Sequence, residues 1–216
     1  MLPYCPPTEP LLDIVHQDAD VLVLNKPSGL LSVPGRRPEY QDSLQSRAQQ
    51  QLPGSLTVHR LDMETSGLVV MAMNKPAQAH LSQQFAQRQT QKSYVARVYG
   101  HPAEAAGVVE LPLICDWPNR PKQKVDQTHG KAATTHWRVL ITEPETTVLE
   151  LKPITGRSHQ LRVHMLALGL PIVGDQLYAT GAALAWAERL HLHSHQLGFS
   201  HPATKQPMQF EAPLPF

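Results

Sequence analysis

Apolar residues fall along this chain in short blocks separated by polar turns. Residues 12–15 and 21–24 are apolar, partly β-branched runs split by His16-Gln17-Asp18-Ala19-Asp20, a pattern that predicts a hairpin. The second run leads into Asn25-Lys26-Pro27-Ser28-Gly29, a turn by composition. Residues 68–73 (LVVMAM) form a continuous apolar run of strand length. After Pro76, the residues Ala77, Leu81 and Phe85 recur at fourfold spacing, which predicts an amphipathic helix with proline in its first turn. Residues 93–100 set Tyr94, Ala96 and Val98 against Val95, Arg97 and Tyr99, the alternation of a half-buried strand. Residues 132–141 and 146–151, joined at Glu143-Pro144-Glu145, read as a second hairpin. Beyond Thr155-Gly156-Arg157, Ser158 is positioned to cap a helix bearing Leu161, Met165 and Leu168 and ended by Gly169 and Pro171.

Strands in hairpins with a few segregated helices predict an α+β fold on a mixed, mainly antiparallel central sheet flanked by helices and loops. No internal repeat, low-complexity tract or Gly/Ser linker interrupts the 216 residues, and the 20 prolines are scattered as turn punctuation. A single domain over residues 1–216 is therefore expected, large enough to bury its own core without disulfides or metal.

Charge changes the picture locally rather than globally. With 19 Lys+Arg against 18 Asp+Glu, the net charge is +1, so a polyanionic partner must be met by a patch. Acids gather early (Glu9, Asp13, Asp18, Asp20, Glu39, Asp42), whereas Arg88, Lys92, Arg97, Arg120, Lys122, Lys124 and Lys131 load the middle, which suggests one basic face. No apolar run approaches the roughly 18 residues of a membrane span, and MLPYCPPTEP lacks the charged and apolar blocks of a signal peptide. Cys5 and Cys115 are too few for a disulfide framework. A cytoplasmic protein with reduced thiols and no membrane partner is expected.

The densest chemistry lies in His59-Arg60-Leu61-Asp62-Met63-Glu64-Thr65-Ser66-Gly67, just before the 68–73 run. Its residue types suit a surface turn in which Asp62 caps the backbone and pairs with Arg60, and equally a carboxylate held at the rim of a rigid sheet to react. The pattern HRLDxxTSG, complete here, resembles the signature of the RluA family of pseudouridine synthases. Four further blocks resemble that family in order: residues 25–35 (NKPSGLLSVPG), 94–101 (YVARVYGH), 113–124 (LICDWPNRPKQK) and 153–165 (PITGRSHQLRVHM). The resemblance spans most of the chain and is greatest to short members without an added N-terminal RNA-binding domain, for which there is no room before Leu12.

The resemblance implies the pseudouridine synthase catalytic fold and isomerisation of uridine in RNA, in stem-loops of 23S ribosomal RNA, of the tRNA anticodon arm, or of both. It implies that Asp62 attacks the uridine, that Tyr94 stacks on the target base, that Arg162 pairs with the aspartate, and that Arg60 enters the RNA stack as the base leaves. The two positions after the aspartate are open in the motif, so Glu64 inherits no role. His59, Arg120, Lys122, Lys124 and Arg157 are expected at the RNA, Arg157 as a phosphate or sheet-edge contact. The reaction breaks the N1–C1′ bond, turns the uracil and joins C5 to C1′ with nothing gained or lost, so no cofactor, metal or obligate protein partner is expected. A carboxylate could attack C1′, add to C6 or assist removal of a sugar proton, and each route needs it ionised in a dry pocket beside a cation such as arginine. A tyrosine offers a π-face for the base and a hydroxyl for proton relay.

Three other readings compete. His191, His193 and His195 at strand alternation could hold zinc on one face. The basic 120–131 stretch could serve a non-catalytic RNA-binding factor, although phosphate binding gives no reason to place a carboxylate among the contacts. Asp62 and Glu64 could act as a glycosidase pair.

Overall fold

The computed structural model describes residues 4–216; residues 1–3, part of the segment read for a signal peptide, lie outside the described residues. In chain order the elements are β1 (Ile14–Gln17), β2 (Val21–Lys26), α1 (Leu44–Gln51), β3 (Leu56–Thr57), β4 (Ser66–Ala72), α2 (Lys75–Ala86), β5 (Gln91–Tyr99) and β6 (Ala106–Glu110). They continue with β7 (Leu113–Cys115), β8 (Gln123–Val125), β9 (Thr134–Thr142), β10 (Thr146–Pro153), α3 (Gln160–Ala167), α4 (Gly181–Ala185), β11 (Leu192–Ser200) and β12 (Pro207–Glu211). The fold is α+β, as the alternation of short strands and few helices predicts. The chain divides into two compact units: residues up to Lys92 with Ser194–Pro215, and Ser93–His193 with Phe216. Among the described residues no helix is long and apolar enough to cross a membrane.

In the first unit the predicted hairpin forms, one or two residues displaced. Asp18 makes its turn by accepting the Asp20 and Val21 amides at 2.8 Å each, so β1 and β2 pair antiparallel with His16 opposite Val23. β2 runs through Lys26 and pairs antiparallel with β4, Lys26 facing Gly67 and Val21 facing Ala72. Both strands are buried along nearly their whole length, which is why their sequences are continuous apolar runs rather than alternating ones. On one face Val21, Val23, Leu68, Val70 and Ala72 meet Ala77 and Leu81 of α2 and Leu197 and Phe199 of β11. Each such side chain contributes roughly 1.5–3 kcal/mol by leaving water. The helix starts where proline predicts, with Asn74 Oδ1 accepting the Ala77 amide as its cap.

In the second unit β5, β10, β9 and β6 lie in that order, each pair antiparallel, with Tyr94 opposite Leu151 and Leu151 opposite Trp137. Leu161 and Met165 of α3 pack on this sheet against Ala96, Val98, Leu149, Leu151 and Trp137. The helix entrance differs from the expectation: Ser158 is not the cap. His159 takes that position in the left-handed region at φ 54° without a side-chain cap bond. The Gln160 amide organises the entrance instead, its Oε1 accepting from Thr155 Oγ1 and the Arg157 amide while its Nε2 donates to Thr134 O. β7 and β8 form a separate antiparallel ribbon that carries residues 116–122 at its tip.

Candidate active site

Asp62 lies in the connection leading into β4, and the residues around it are held from below by the 26–32 segment. Ser32 Oγ donates to Leu61 O at 2.7 Å and accepts the Leu61 amide at 3.0 Å. Ser28 Oγ donates to Glu64 O at 2.8 Å, and the Gly29 amide donates to Met63 O at 3.0 Å. Lys26, with 0% of its surface exposed, donates from Nζ to Pro27 O, Leu30 O and Met63 O at 2.7–2.8 Å. Three protons thus meet three carbonyls. Burial drags the Lys26 pKa down to about 7, while the Glu64 and Asp62 carboxylates pull it back up. The turn closes with the Thr65 amide donating to Asp62 O at 3.2 Å, and Thr65 and Ser66 are buried beneath it. The result is a half-exposed carboxylate on a main chain that is gripped on both sides.

The last residue of the motif has a steric reason. Gly67 sits at φ +109°, and a Cβ there would lie 2.3 Å from Ser194 O of β11, so only glycine lets the two strands close up. The first residue is fixed through its ring. His59 Nε2 accepts the Val70 amide at 3.0 Å and its ring stacks on Phe85, centroids 4.3 Å apart. Burial, assisted by the nearby Lys92 charge, holds its pKa at about 3, so it is neutral and able to accept. His59 thus anchors the loop to β4. Arg60, next to it, is exposed.

The second unit builds its own charged centre. Arg162 on α3 is only 3% exposed and donates through Nε and Nη2 to the two carboxylate oxygens of Asp175 at 2.8 and 2.6 Å. Asp175 is fixed in turn by the Leu177 and Tyr178 amides, which donate to its Oδ1. The Arg162 guanidinium lies over the Tyr178 ring, 5.0 Å from its centroid, and Tyr178 Oη meets His159 Nδ1 at 2.7 Å. Tyr94 on β5 is half-buried against the sheet core. Arg157 is exposed and donates from Nε to Ala132 O at 3.2 Å, and Arg120 and Lys124 are exposed on the β7–β8 ribbon with Lys122 half-buried. Sequence reasoning missed Lys26, Asp175 and Tyr178; the Gly-Asp turn before Tyr178 was the available signal for the last two.

The histidine-metal reading finds no support in geometry. His191 is engaged by rings, stacking on Phe216 and edge-on to Trp186, and His195 Nδ1 is bonded to Ala212 O. Among the described residues the His/Cys/Asp/Glu group whose ligand atoms converge is instead Asp18, Asp20 and His201, where Asp18 already accepts from His16, His201 and two amides.

Comparison with known proteins points in one direction. A family model described as RNA pseudouridylate synthase matches residues 20–167. A dual-specificity RNA pseudouridine synthase RluA from Escherichia coli (strain K12) is 56% identical over 214 residues, covering 99% of this chain and 98% of that one. The protein of the same name from Vibrio vulnificus (strain CMCP6) is 56% identical over 207 residues, covering 94% and 83%. Among solved structures, human RNA pseudouridylate synthase domain containing 1 aligns with a TM-score of 0.79 at 30% identity, over 95% of this chain and 84% of that one.

Proposed function

Since the chain belongs to the RNA pseudouridylate synthase family and isomerises uridine to pseudouridine in RNA, we propose that Asp62 is the group that attacks the target nucleotide. The observation that carries this reading is the grip on the 61–64 main chain by Lys26, Ser28 and Ser32, which fixes the backbone that bears the carboxylate. In the reaction the N1–C1′ bond breaks, the freed uracil turns, C5 bonds to C1′, the C5 proton leaves and N1 gains one. A carboxylate at position 62 serves attack on C1′, addition to C6 or removal of a sugar proton alike.

The partners of Asp62 follow from the chemistry. Arg162 is the cation that pairs with the carboxylate, with Asp175 keeping the guanidinium oriented. Tyr94 supplies the face on which the target base stacks and a hydroxyl for the C5 proton. Arg60 takes the space that the base vacates. The substrate is a stem-loop of 23S ribosomal RNA, of the tRNA anticodon arm, or of both, a reading supported by the sequence blocks and by the dual specificity in the relatives' name. The two units work as one catalytic domain in the cytoplasm, supported by a family model that runs across both of them.

The test is Asp62→Asn, which keeps the shape and removes the nucleophile. Tritium release from 5-labelled uridine in stem-loop RNA is expected to fall by many powers of ten while RNA binding persists. Turnover within tenfold of the unaltered enzyme would overturn the assignment.

A further inference from the structure

Residues 116–122, at the tip of the β7–β8 ribbon, bring an aromatic ring and several cations together in solvent. Trp117 is 65% exposed, and the Arg120 guanidinium lies over its ring, 4.6 Å from the centroid. An indole that contributes nothing to a core is a costly surface residue, and burying it against a partner recovers the apolar area. The tip is also rigid. The Asp116 amide donates to Lys122 O, the Asn119 amide to Asp116 O and the Lys122 amide to Asn119 O at 2.9–3.0 Å, while Asn119 Nδ2 donates to Asp116 Oδ2 at 2.8 Å. At its root the Gln123 amide donates to Tyr178 Oη at 2.8 Å, and Tyr178 is the residue whose ring lies beneath Arg162. The ribbon is thus joined to the surroundings of Arg162 through one side chain.

We propose that Trp117, with Arg120 upon it, is a stacking platform for an unpaired base of the RNA stem-loop other than the target uridine. This rests on the reading of the substrate as stem-loop RNA. Charge selects the occupant. Arg120 covers the ring, Lys124 lies on β8 opposite Ile114, Lys131 lies opposite Leu113, both exposed, and Lys122 is half-buried at the tip, whereas Asp116 is engaged by Asn119, and Asp126 by the Thr128 and His129 amides. A ring under a guanidinium on a ribbon that carries further cations matches a chain of π-faces and phosphates; an apolar protein surface would leave those cations unmatched. Stacking tolerates any base, so the platform registers where a loop base stands, not which base it is. Its attachment to Tyr178 turns that position into a fixed distance from Arg162.

The experiment measures affinity of stem-loop RNA for the unaltered enzyme, Trp117→Leu and Trp117→Phe, with thermal melts to verify that each folds. The Leu variant is expected to bind roughly tenfold more weakly, with the loss falling mainly on KM, and the Phe variant to stay within threefold because it keeps a ring. A series of stem-loops with one abasic nucleotide moved through the loop gives the second readout. At one non-target position the missing base should weaken binding to the unaltered enzyme by the same factor and have no further effect on the Leu variant. Additive losses at every position, equal losses in the Leu and Phe variants, or Leu-variant affinity within twofold of the unaltered enzyme would overturn the platform. So would self-association abolished by Trp117→Leu with RNA affinity intact, which would make the ring a contact between copies. Absence of tritium release by the unaltered enzyme on the same RNA would count against the enzymatic reading, and the abasic series would still decide the platform.

Discussion

Replacing Lys26 with Met, a side chain of similar length, separates holding the protein together from holding Asp62 in place. Pro27 O and Leu30 O lose their donor, whereas Met63 O keeps the Gly29 amide. A buried acceptor left unsatisfied costs about 1–3 kcal/mol, so the two together cost roughly 2–6 kcal/mol. Against this stands the ammonium itself, whose pKa is held at about 7 instead of 10.5. That difference, multiplied by 1.36 kcal/mol per pH unit, is about 5 kcal/mol of destabilisation near pH 7 that methionine does not carry. The two terms nearly offset, so urea melts are expected to show a stability change of no more than about 4 kcal/mol in either direction. Position is a separate matter: with Met63 O held by the Gly29 amide alone, Asp62 loses one of its neighbour's two anchors, and a shift of about 1 Å costs on the order of 100-fold in rate. Single-turnover tritium release should therefore fall about 100-fold in a variant that still folds. Linkage adds a second signature. Between about pH 7 and 10.5 the unfolded chain binds the Lys26 proton and the folded one does not, so this group makes the unaltered enzyme more stable as pH rises through that window. The Met variant should lack that rise. Wild-type turnover rates in Lys26→Met would refute the positioning argument, and an identical pH dependence of stability in the two proteins would refute the buried ammonium.

Other consequences can be measured independently. Arg60→Ala should slow a structured stem-loop at least tenfold more than a flexible single strand whose uridine is already unstacked, since unstacking costs a few kcal/mol; equal slowing of both would reduce Arg60 to a phosphate contact. Neutralising Lys122 and Lys124 together should lower the slope of log affinity against log salt by about 1.4–1.8 if each meets a phosphate, and an unchanged slope would take the RNA path off the ribbon. Asp175→Asn should cost about 3–5 kcal/mol in a denaturant melt, because it removes the carboxylate that accepts from both Nε and Nη2 of the buried Arg162. A loss under 1 kcal/mol would mean that Arg162 is balanced elsewhere.

Legibility in the sequence followed burial. β2 and β4 were readable because both of their faces are covered, so every position is apolar, and α2 because Ala77, Leu81 and Phe85 share one face beneath a proline start. β6 was not, since four of its five residues lie half or fully open and the pattern AGVVE carries no clear period. α1 (LQSRAQQQ) is polar enough to pass for a loop; its start depends on the Ser43–Ser46 capping pair. The candidate site divides in the same way. Asp62, Arg60 and Arg162 stand in patterns dense enough to be noticed, whereas Lys26 sits in what reads as an exposed turn. Nothing local reveals that one of its three acceptors comes from residue 63. For His59, in a polar loop beside an arginine, only the Val70 amide and the Phe85 ring reveal a neutral acceptor.

The grip on the Asp62 loop takes hold of backbone atoms: the carbonyls of residues 61, 63 and 64 and the amide of residue 61. Every residue type presents those same atoms, except that proline lacks the amide proton. Met63, whose side chain is exposed, can therefore be exchanged without moving the aspartate, whereas the Glu64 carboxylate also supports the Lys26 charge. The position after the nucleophile becomes a place where RNA preference can drift over evolutionary time, or be altered by design, while the chemistry stays constant.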